Sequence, residues 1–391
     1  MLRISQLLRG ICQPDAPPAP PVGPARRSGP VVVWNLLRRC NLACRHCYSA
    51  SADRSFQGEL TTGEIYRILE ELQVFGVPAL ILSGGEPLLH PDLYAIAERA
   101  KALGFYLGLS SNGTLMDAQQ VARIRAVGFD YVGVSLDGLE AHHDRHRSQS
   151  GAFRQALAGI RQCRRQGVKV GIRFTPTEEN SADLPALFAL MDEEGVDRFY
   201  LSHWNYAGRG KTNRADDSRH QTTRQVVELL VQQAWADGQA GRDREMVTGN
   251  NDADGPFLLR WIERHHPERA ARARALLLRW GGNASGVGIA NIDNRGVVHP
   301  DIFWWDHALG SLRAHTFAEI WQNPADPLLV GLRQRPRPVK GRCARCRYLA
   351  ICGGNTRVRA WQATGDPWGE DPGCYLDDAE IVDEQGEKAG S

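Results

Sequence analysis

The sequence predicts an α/β protein: a partial (β/α)6 TIM-like barrel followed by a small C-terminal domain. Apolar strand-like runs alternate with amphipathic helical patterns from residue 30 to residue 203, and this rhythm stops after residue 204. A loop-rich, cysteine-rich segment follows at 341–377. Strand–helix alternation implies parallel strands with covering helices. The six predicted strands suit an open barrel better than the closed barrel of eight.

The elements of the barrel can be read in chain order. VVVWNLL (31–37) has the composition of a buried strand, and the helix at 61–76 starts at a Thr and stops at a Gly. The predicted strands are 31–37, 78–83, 105–111, 130–135, 168–175 and 197–203. The helices expected between them are 61–76, 91–104, 117–128, 151–167 and 183–195.

The regions outside the predicted barrel differ from it in amino-acid composition and pattern. Residues 1–29 are expected to be a flexible lead-in, because 13–29 is rich in Pro and Ala. Residues 204–285 are expected to link the domains, with helices at about 221–237 and 257–279. The C-terminal domain is expected at 286–377, where Asn294-Arg295-Gly296 signals a hairpin. An acidic, disordered tail is expected at 378–391.

Bulk properties exclude several classes of protein. The hydrophobic content of 42% is enough for a large core, and the net charge of +2 provides no general attraction to nucleic acid. No apolar run approaches the roughly 18 residues of a membrane helix, and residues 1–29 hold no secretory signal. We therefore expect a cytoplasmic protein with no membrane and no nucleic-acid partner.

The nine cysteines fall into two groups and two single residues. A large chain with grouped cysteines favours metal binding over disulfides. Cys12 and Cys163 are expected to be plain thiols. The first group is Cys40, Cys44 and Cys47, and the second is Cys343, Cys346, Cys352 and Cys374.

The first group has the spacing C-x3-C-x2-C and follows the first predicted strand directly. In a parallel barrel the ends of the strands carry the chemistry. A four-iron cluster needs four ligands, so three thiolates leave one iron open to a small ligand. A zinc ion with a fourth ligand elsewhere is the alternative.

This triple-cysteine loop resembles the signature of the radical S-adenosylmethionine (SAM) superfamily, and the resemblance covers residues 30–203. It implies a [4Fe-4S] cluster whose open iron chelates the amino and carboxylate groups of SAM. Electron transfer from the cluster then splits SAM into methionine and a 5′-deoxyadenosyl radical.

Strings after the later strands match the same superfamily. SGGEP follows the second strand, SSNGT the third and SLDG the fourth, while Arg173 lies in the fifth. Taken alone, each string is a turn or helix cap, and Arg173 could serve a salt bridge. With the cysteine loop, the resemblance implies that SAM contacts His46, Tyr48, Gly84, Gly85, Glu86, Pro87, Ser111, Asn112, Ser135, Asp137 and Arg173.

The second cysteine group spans C-x2-C-x5-C-x21-C. Four thiolates within this span can hold a zinc ion or a full cluster. CxxCxxxxxCGG near the C-terminus resembles the SPASM/twitch extensions of radical SAM proteins. The resemblance implies one auxiliary [4Fe-4S] cluster, so two clusters in all, and a C-terminal iron–sulfur cluster domain. The long gap before Cys374 makes it the least certain ligand, and the cluster could relay electrons, anchor substrate or brace the fold.

The segments between the cysteine groups resemble the tetrapyrrole-maturation branch of the superfamily. They are HWNYAGRGKTNR (203–214), GNNDADGP (249–256) and WGGNASGVG (280–288). The resemblance implies heme d1 biosynthesis: removal of two propionate side chains from iron-containing didecarboxysiroheme, on the way to oxo groups. It also implies a reduced electron donor such as a flavodoxin or ferredoxin.

The residues themselves fit such a substrate. A tetrapyrrole has several carboxylates and a flat apolar face, which call for cationic and aromatic side chains. His203 could supply an axial imidazole to the substrate iron. The cationic candidates are Arg209, Lys211 and Arg214, and the aromatic candidates are Trp204, Tyr206, Trp280, Trp304 and Trp305. Each could equally be a solvated charge or a core residue.

Other functions remain open at this point. A radical SAM decarboxylase of the alternative haem pathway would share these segments. A radical SAM enzyme that matures a ribosomal peptide would share the C-terminal extension, although residues 1–29 are too short for a peptide-recognition domain. A zinc-binding or redox-sensing module would not be an enzyme.

Overall fold

One mixed sheet lies at the centre of the protein. The computed structural model describes residues 1–12, 29–323 and 325–382. The strands in these residues are β1 (Leu2–Arg3), β2 (Val31–Asn35), β3 (Ala79–Ser83), β4 (Tyr106–Ser111), β5 (Tyr131–Ser135), β6 (Val170–Phe174), β7 (Arg198–Ser202), β8 (Glu245–Gly249), β9 (Ile289–Ile292), β10 (Val297–His299) and β11 (Gly310–Ser311). Their order across the sheet is β1-β8-β7-β6-β5-β4-β3-β2-β9-β10-β11.

Helices cover the sheet and build the C-terminal domain. Those in the first part of the chain are α1 (Ile4–Cys12), α2 (Thr62–Phe75), α3 (Leu93–Ala102), α4 (Ala118–Val127), α5 (Glu140–Arg147), α6 (Ala152–Arg165), α7 (Leu184–Glu194), α8 (Arg209–Thr212) and α9 (His220–Gln239). Those in the second part are α10 (Asp254–His265), α11 (Ala270–Trp280), α12 (Phe317–Trp321), α13 (Pro327–Arg333), α14 (Gly341–Ala344), α15 (Leu349–Cys352), α16 (Arg357–Thr364) and α17 (Asp378–Ile381).

The predicted open barrel is confirmed. Strands β2 to β7 are parallel neighbours, and helices α3 and α6 pack on the sheet beside the strands that follow them. Register pairs such as Asn35 with Ser83 and Ser135 with Arg173 align the carboxyl ends of the strands. The loops that follow the strands therefore share one edge of the barrel, and the chemistry-bearing strings lie in those loops.

The barrel has one more parallel strand than the sequence analysis predicted. Strand β8 pairs in parallel with β7, with Ser202 opposite Gly249. It falls inside 204–285, which we expected to be helices and loops only. Its five residues, EMVTG, include Glu and Gly, which are poor strand formers, so its pattern is weak. Pairing with β7 and burial of Met246 and Val247 override that weakness.

The expectation of a flexible lead-in is wrong for residues 2–12. Strand β1 pairs antiparallel with β8, and α1 buries Ile4, Leu8 and Ile11 against β8, α9 and α11. The Arg272 guanidinium also donates to the Gly10 carbonyl at 2.6 Å. The apolar spacing of α1 is helical, but the Pro-rich run beside it dominated the prediction. Residues 13–28 of the predicted lead-in lie outside the described residues.

The C-terminal part of the chain continues the barrel sheet. Strand β9 pairs in parallel with β2, and β9 and β10 form the predicted hairpin. A small apolar cluster of Trp304, Leu328, Leu332 and Val358 packs beside it.

The prediction of a disordered tail is wrong for residues 378–381. Helix α17 forms there and buries Ile381. Residues 383–391 of the predicted tail lie outside the described residues.

Among the described residues, no helix combines the length and the apolar composition needed to cross a bilayer.

The packing of α1 generates the first prediction. Leu8→Ala should lower the free energy of unfolding by about 2–4 kcal/mol, because it removes a buried side chain and leaves a cavity. Arg9→Ala on the same helix removes only an exposed ion pair with Asp243, so its effect should stay below about 1 kcal/mol. Denaturant unfolding of both variants compares them. Equal stability of Leu8→Ala and the wild type would show that α1 does not dock.

Candidate active site

The first cysteine group lies on a loop that begins directly after β2. Cys40 and Cys44 are buried, and Cys47 is half-buried. The loop is closed by a bond from the Cys40 amide to the Ala52 carbonyl at 3.1 Å. Arg209 braces it from outside, donating to the carbonyls of Cys44 and Ser51 at 2.7 Å each. Arg209 therefore stabilises the cysteine loop, and this role explains its position without a substrate contact.

The three sulfurs are surrounded by hydrogen-bond donors. The Leu42 amide lies 3.4 Å from Cys40 Sγ, the Ser51 amide 3.4 Å from Cys47 Sγ, and Arg147 Nη1 3.4 Å from Cys44 Sγ. Burial raises the pKa of Cys40 to about 12. The thiolate form thus needs a bound cation, and backbone N–H donors stabilise the sulfurs of a metal cluster. The loop fits a four-iron cluster with one open iron.

A buried ion pair supports this loop from the other side. Asp137 is fully buried; it pairs with Arg147 and accepts from the Thr175 amide at 2.7 Å. Burial alone would raise the pKa of Asp137, but Arg147 and nearby imidazoles lower it below the usual range. The carboxylate has no exposed surface, and direct contact of Asp137 with SAM stays a prediction. Its role is to hold Arg147 against Cys44.

Glu86 is also turned inward. Its carboxylate is fully buried and accepts from the Ser111 hydroxyl at 2.8 Å and from the Asn112 amide at 2.8 Å. Burial raises the pKa of Glu86 to about 7. The side chain links the loop after β3 to the loop after β4. Pairing of this carboxylate with the SAM ammonium stays a prediction.

The two glycines before Glu86 permit close packing. A Cβ on Gly85 would lie 2.1 Å from the Arg39 carbonyl oxygen, and one on Gly84 would lie 2.6 Å from that of Leu37. Only glycine lets the loop after β3 lie against the cysteine loop in this way. Pro87 then opens a short 3-10 turn, Pro87–Leu89. Contact of this stretch with SAM stays a prediction.

Other predicted SAM contacts lie at the same edge of the barrel. The Asn112 amide group donates to Asn41 at 2.9 Å and lies 3.8 Å from Cys40 Sγ. Arg173 bonds the Ser110 hydroxyl and lies over the Tyr200 ring at 5.1 Å. Ser135 is half-buried in register with Arg173. Direct contact of Ser111, Asn112, Ser135 and Arg173 with SAM stays a prediction.

Two aromatic residues flank Cys47. His46 stacks on His146 with ring centroids 4.3 Å apart, and burial lowers its pKa well below the ordinary value. The Tyr48 hydroxyl accepts from the Asn35 amide at 2.8 Å. Direct contact of His46 and Tyr48 with SAM stays a prediction.

His46, Asp137 and His146 approach one another closely enough to hold a cation. Arg147 already pairs with Asp137 at that point, however, and its charge repels a cation.

Sequence reasoning missed several residues that shape this site. Arg147 and His146 come from α5, which was not predicted, and Asn35 is the last residue of β2. The string HHDRHR after SLDG is rich in polar groups and offered a signal, because such side chains close to a strand end often serve a site. Asn35 offered none, since it lies inside the apolar run 31–37.

The second cysteine group forms another converging set. All four cysteines are half-buried, and burial raises the pKa of Cys346, Cys352 and Cys374. Neighbouring thiols of the same group raise the pKa of Cys346 and Cys352 further, and Asp371 raises that of Cys374. The Tyr348 amide lies 3.4 Å from Cys346 Sγ. Sulfur donors of this kind fit a cluster or a zinc ion equally.

A polar cavity of about 220 Å³ lies between the end of β7 and the second cysteine group. His203 is buried at its wall, with Nε2 2.9 Å from Asp254, which also accepts from the Tyr375 hydroxyl at 2.7 Å. Burial raises the pKa of Asp217 to about 6. The other side chains that line the cavity include Tyr206, Arg214, Arg219, His220 and Arg359.

The remaining predicted substrate contacts have varied surroundings. Lys211 is exposed, and Trp305 lies beside Tyr48 with ring centroids 6.3 Å apart. Trp204 and Trp304 are buried in packed surroundings, and Trp280 donates to the Met1 carbonyl at 3.1 Å. For these three tryptophans a packing role explains the position.

The barrel, the triple-cysteine loop and the glycine loop that packs on it define one class of enzyme. The family model of the radical SAM superfamily matches residues 34–191. The chain belongs to the radical SAM superfamily, as the cysteine loop predicted. Membership implies SAM and one [4Fe-4S] cluster as cofactors.

Particular relatives cover nearly the whole chain. The chain is 52% identical to the pre-heme d1 synthase of Dinoroseobacter shibae over 97% of its own length and 93% of that protein. It is 42% identical to the Fe-coproporphyrin III synthase of Methanosarcina barkeri, over 90% and 89%. The crystal structure of Streptococcus suis SuiB bound to S-adenosylmethionine shares the fold, with a TM-score of 0.67 at 18% identity, over 89% of this chain and 78% of that one.

The cysteine loop generates the second prediction. Replacing Cys40, Cys44 and Cys47 by Ala should remove about four irons per chain and abolish reductive cleavage of SAM, because no other thiol of the described residues adjoins the loop. Cys12→Ala, a half-buried thiol on α1, is the control and should keep both. Iron analysis and the yield of 5′-deoxyadenosine measure the outcome. Undiminished cleavage in the triple variant would contradict the assignment.

Proposed function

We propose that this protein acts in heme d1 biosynthesis and removes propionate side chains from iron-containing didecarboxysiroheme, on the way to oxo groups. The observation that carries the proposal is the 52% identity to a pre-heme d1 synthase across 97% of the chain, which includes both cysteine groups. The Fe-coproporphyrin III synthase, a second tetrapyrrole enzyme by name, supports the substrate class.

The proposed cofactors are SAM and two [4Fe-4S] clusters. The first cluster would be held by Cys40, Cys44 and Cys47. The second would be held by the other group, namely Cys343, Cys346, Cys352 and Cys374. When bound and reduced, the first cluster and SAM supply a 5′-deoxyadenosyl radical that abstracts hydrogen from a substrate side chain. We infer a reduced flavodoxin or ferredoxin as the electron source, and the cytoplasm as the compartment that provides it.

The protein's own contribution is alignment and exclusion of water. Arg209 and Arg147 fix the cysteine loop, while Glu86 fixes the two loops that face it. Arg173 is half-buried at the same edge and would neutralise the carboxylate of SAM. These residues hold the reacting groups in one geometry before the substrate arrives.

The polar cavity supports a substrate with several carboxylates. Its volume of about 220 Å³ is below the range of about 300–1,000 Å³ that encloses a drug-sized ligand, so it suits carboxylate arms and not a whole macrocycle. Arg214, Arg219 and His220 line it. Charge-assisted hydrogen bonds from such side chains are the usual way to bind a carboxylate.

His203 is the proposed ligand of the substrate iron. Asp254 faces its Nε2, and the Tyr375 hydroxyl fixes Asp254, while the imidazole lines the cavity. A carboxylate bound to one ring nitrogen orients the other nitrogen toward a metal in many metalloproteins. This support fits an imidazole that binds iron better than one that fills a core.

The function has a direct test. Anaerobic protein with about eight irons per chain, as two four-iron clusters require, is incubated with didecarboxysiroheme, SAM and dithionite. We expect loss of propionate side chains by mass spectrometry together with 5′-deoxyadenosine. Fe-coproporphyrin III and a precursor peptide are run in parallel. Turnover of either without turnover of didecarboxysiroheme would exclude the proposal, and zinc in place of iron would exclude radical chemistry.

Asp217 generates a prediction for pH. Below a pH of about 6 the Asp217 carboxyl is neutral. Above that pH it is ionised and repels the substrate carboxylates, which are ionised at both pH values. Binding should therefore weaken by about fivefold, or about 1 kcal/mol, as pH rises through 6. The facing groups are the His203 and His220 imidazoles, the Tyr206 hydroxyl and the Arg359 guanidinium.

Comparison with Asp217→Asn isolates the contribution of this carboxyl, because the variant keeps every other side chain that lines the cavity. Optical titration with an iron tetrapyrrole at pH 5.5 and 7.5 measures the dissociation constants. In Asp217→Asn the fivefold increase of the dissociation constant between the two pH values should disappear. Glu179→Gln replaces an exposed carboxylate that pairs with Arg145, and this control should keep the fivefold increase. An unchanged pH dependence in Asp217→Asn would show that the carboxylates bind elsewhere.

A further inference from the structure

The exposed side of α11 has an unusual composition. Ala271, Arg274, Ala275, Leu278 and Arg279 are all exposed, and we call them the arginine face. Their spacing of i, i+3, i+4, i+7 and i+8 puts them on one side of the helix. Ala273 and Leu277, on the other side, are fully buried and fix α11 to the protein.

The arginine face is apolar along its middle and cationic along its edges. At 100° per residue, Leu278, Ala271 and Ala275 fall between Arg274 on one side and Arg279 on the other. Leu278 is 45% exposed, which few large apolar side chains of the described residues reach. Helix α11 has no acidic residue. Neither arginine has an acidic partner within ion-pair distance in the described part of the chain.

The end of this helix adjoins the second cysteine group. Helix α11 packs against α15, which ends at Cys352. The Asn283 amide donates to the Cys352 carbonyl at 3.2 Å, and a Cβ on Gly282 would lie 2.1 Å from that carbonyl. A helix with its side chains is about 10–12 Å across, so a partner on the arginine face lies roughly that far from the backbone of Cys352.

We propose that the arginine face is the docking site of an acidic one-electron carrier protein of the flavodoxin or ferredoxin type. An apolar centre with a cationic rim fits a small, transient interface in which charge steers the partner. The carrier arrives reduced, gives one electron to the protein through the group held at Cys352, and leaves oxidised. This inference rests on the proposed function only in requiring a cluster at the second cysteine group.

The test is the rate at which a reduced flavodoxin reduces the full-length protein loaded with both clusters, followed anaerobically by the loss of cluster absorbance. Arg274→Glu/Arg279→Glu should slow this rate by about tenfold or more at low salt, and the wild-type rate should fall as salt increases. Dithionite, a small reductant that needs no docking face, should reduce wild type and variant equally.

The matched control is Arg125→Glu/Arg165→Glu. These exposed arginines lie on α4 and α6, and their replacement changes the net charge by the same amount. Its rate with flavodoxin should stay within about twofold of the wild type. Equal slowing of both double variants would overturn the proposal, because net charge alone would then explain the effect. An undiminished rate in Arg274→Glu/Arg279→Glu would overturn it as well.

Two further outcomes distinguish failure of the docking proposal from failure of the proposed function. If the purified protein is a dimer that Arg274→Glu/Arg279→Glu converts to a monomer, a second copy of the chain covers the arginine face and the proposal is overturned. If the loaded protein holds only about four irons, the cluster at Cys352 is missing and the proposed function itself fails. Iron content is therefore measured before the rates.

Discussion

The buried ion pair between Asp137 and Arg147 is the interaction on which the rest of the site depends. Asp137 has no exposed surface and receives Arg147 together with the Thr175 amide, so the guanidinium is held in one position, against Cys44 Sγ. Removing one partner of such a pair leaves an uncompensated buried charge and costs about 3–5 kcal/mol. A positive charge fixed beside a cysteine sulfur favours its thiolate, the form that binds metal.

Other polar side chains link the segments that surround the cysteine loop. Glu86 links the loops after β3 and β4, and Arg209 links the cysteine loop to α8. Asp254, the first residue of α10, links His203 after β7 to Tyr375. Each link joins segments that are distant in sequence through a largely buried polar side chain. Such groups must find partners when water is excluded, so they fix the relative positions of the loops. These hydrogen bonds hold the loops of the site against one another.

The sequence predicted what depends on local pattern. The six strand–helix units, the hairpin around Gly296 and the cysteine groups could all be found from periodicity and spacing. Strand β8 could not, because its local pattern is weak and pairing with β7 stabilises it. The helical spacing of α1 is present in the sequence, but the Pro-rich run beside it masked that signal. The roles of Asp137 and Glu86 were also out of reach. Their positions in the chain were right, but only the fold shows whether a carboxylate faces the cavity or the interior.

The parallel pairing of β2 with β9 has a consequence for biosynthesis. Val31 lies opposite Ile289, so the strand that leads into Cys40 gains its second neighbour only after nearly three-quarters of the chain has been made. Pairing over such a separation forms late, since a long loop must close first. Until then one edge of β2 is unpaired and the cysteine loop beside it is accessible from that side. A nascent chain therefore offers an interval in which iron and sulfide can be delivered, before β9 pairs with β2.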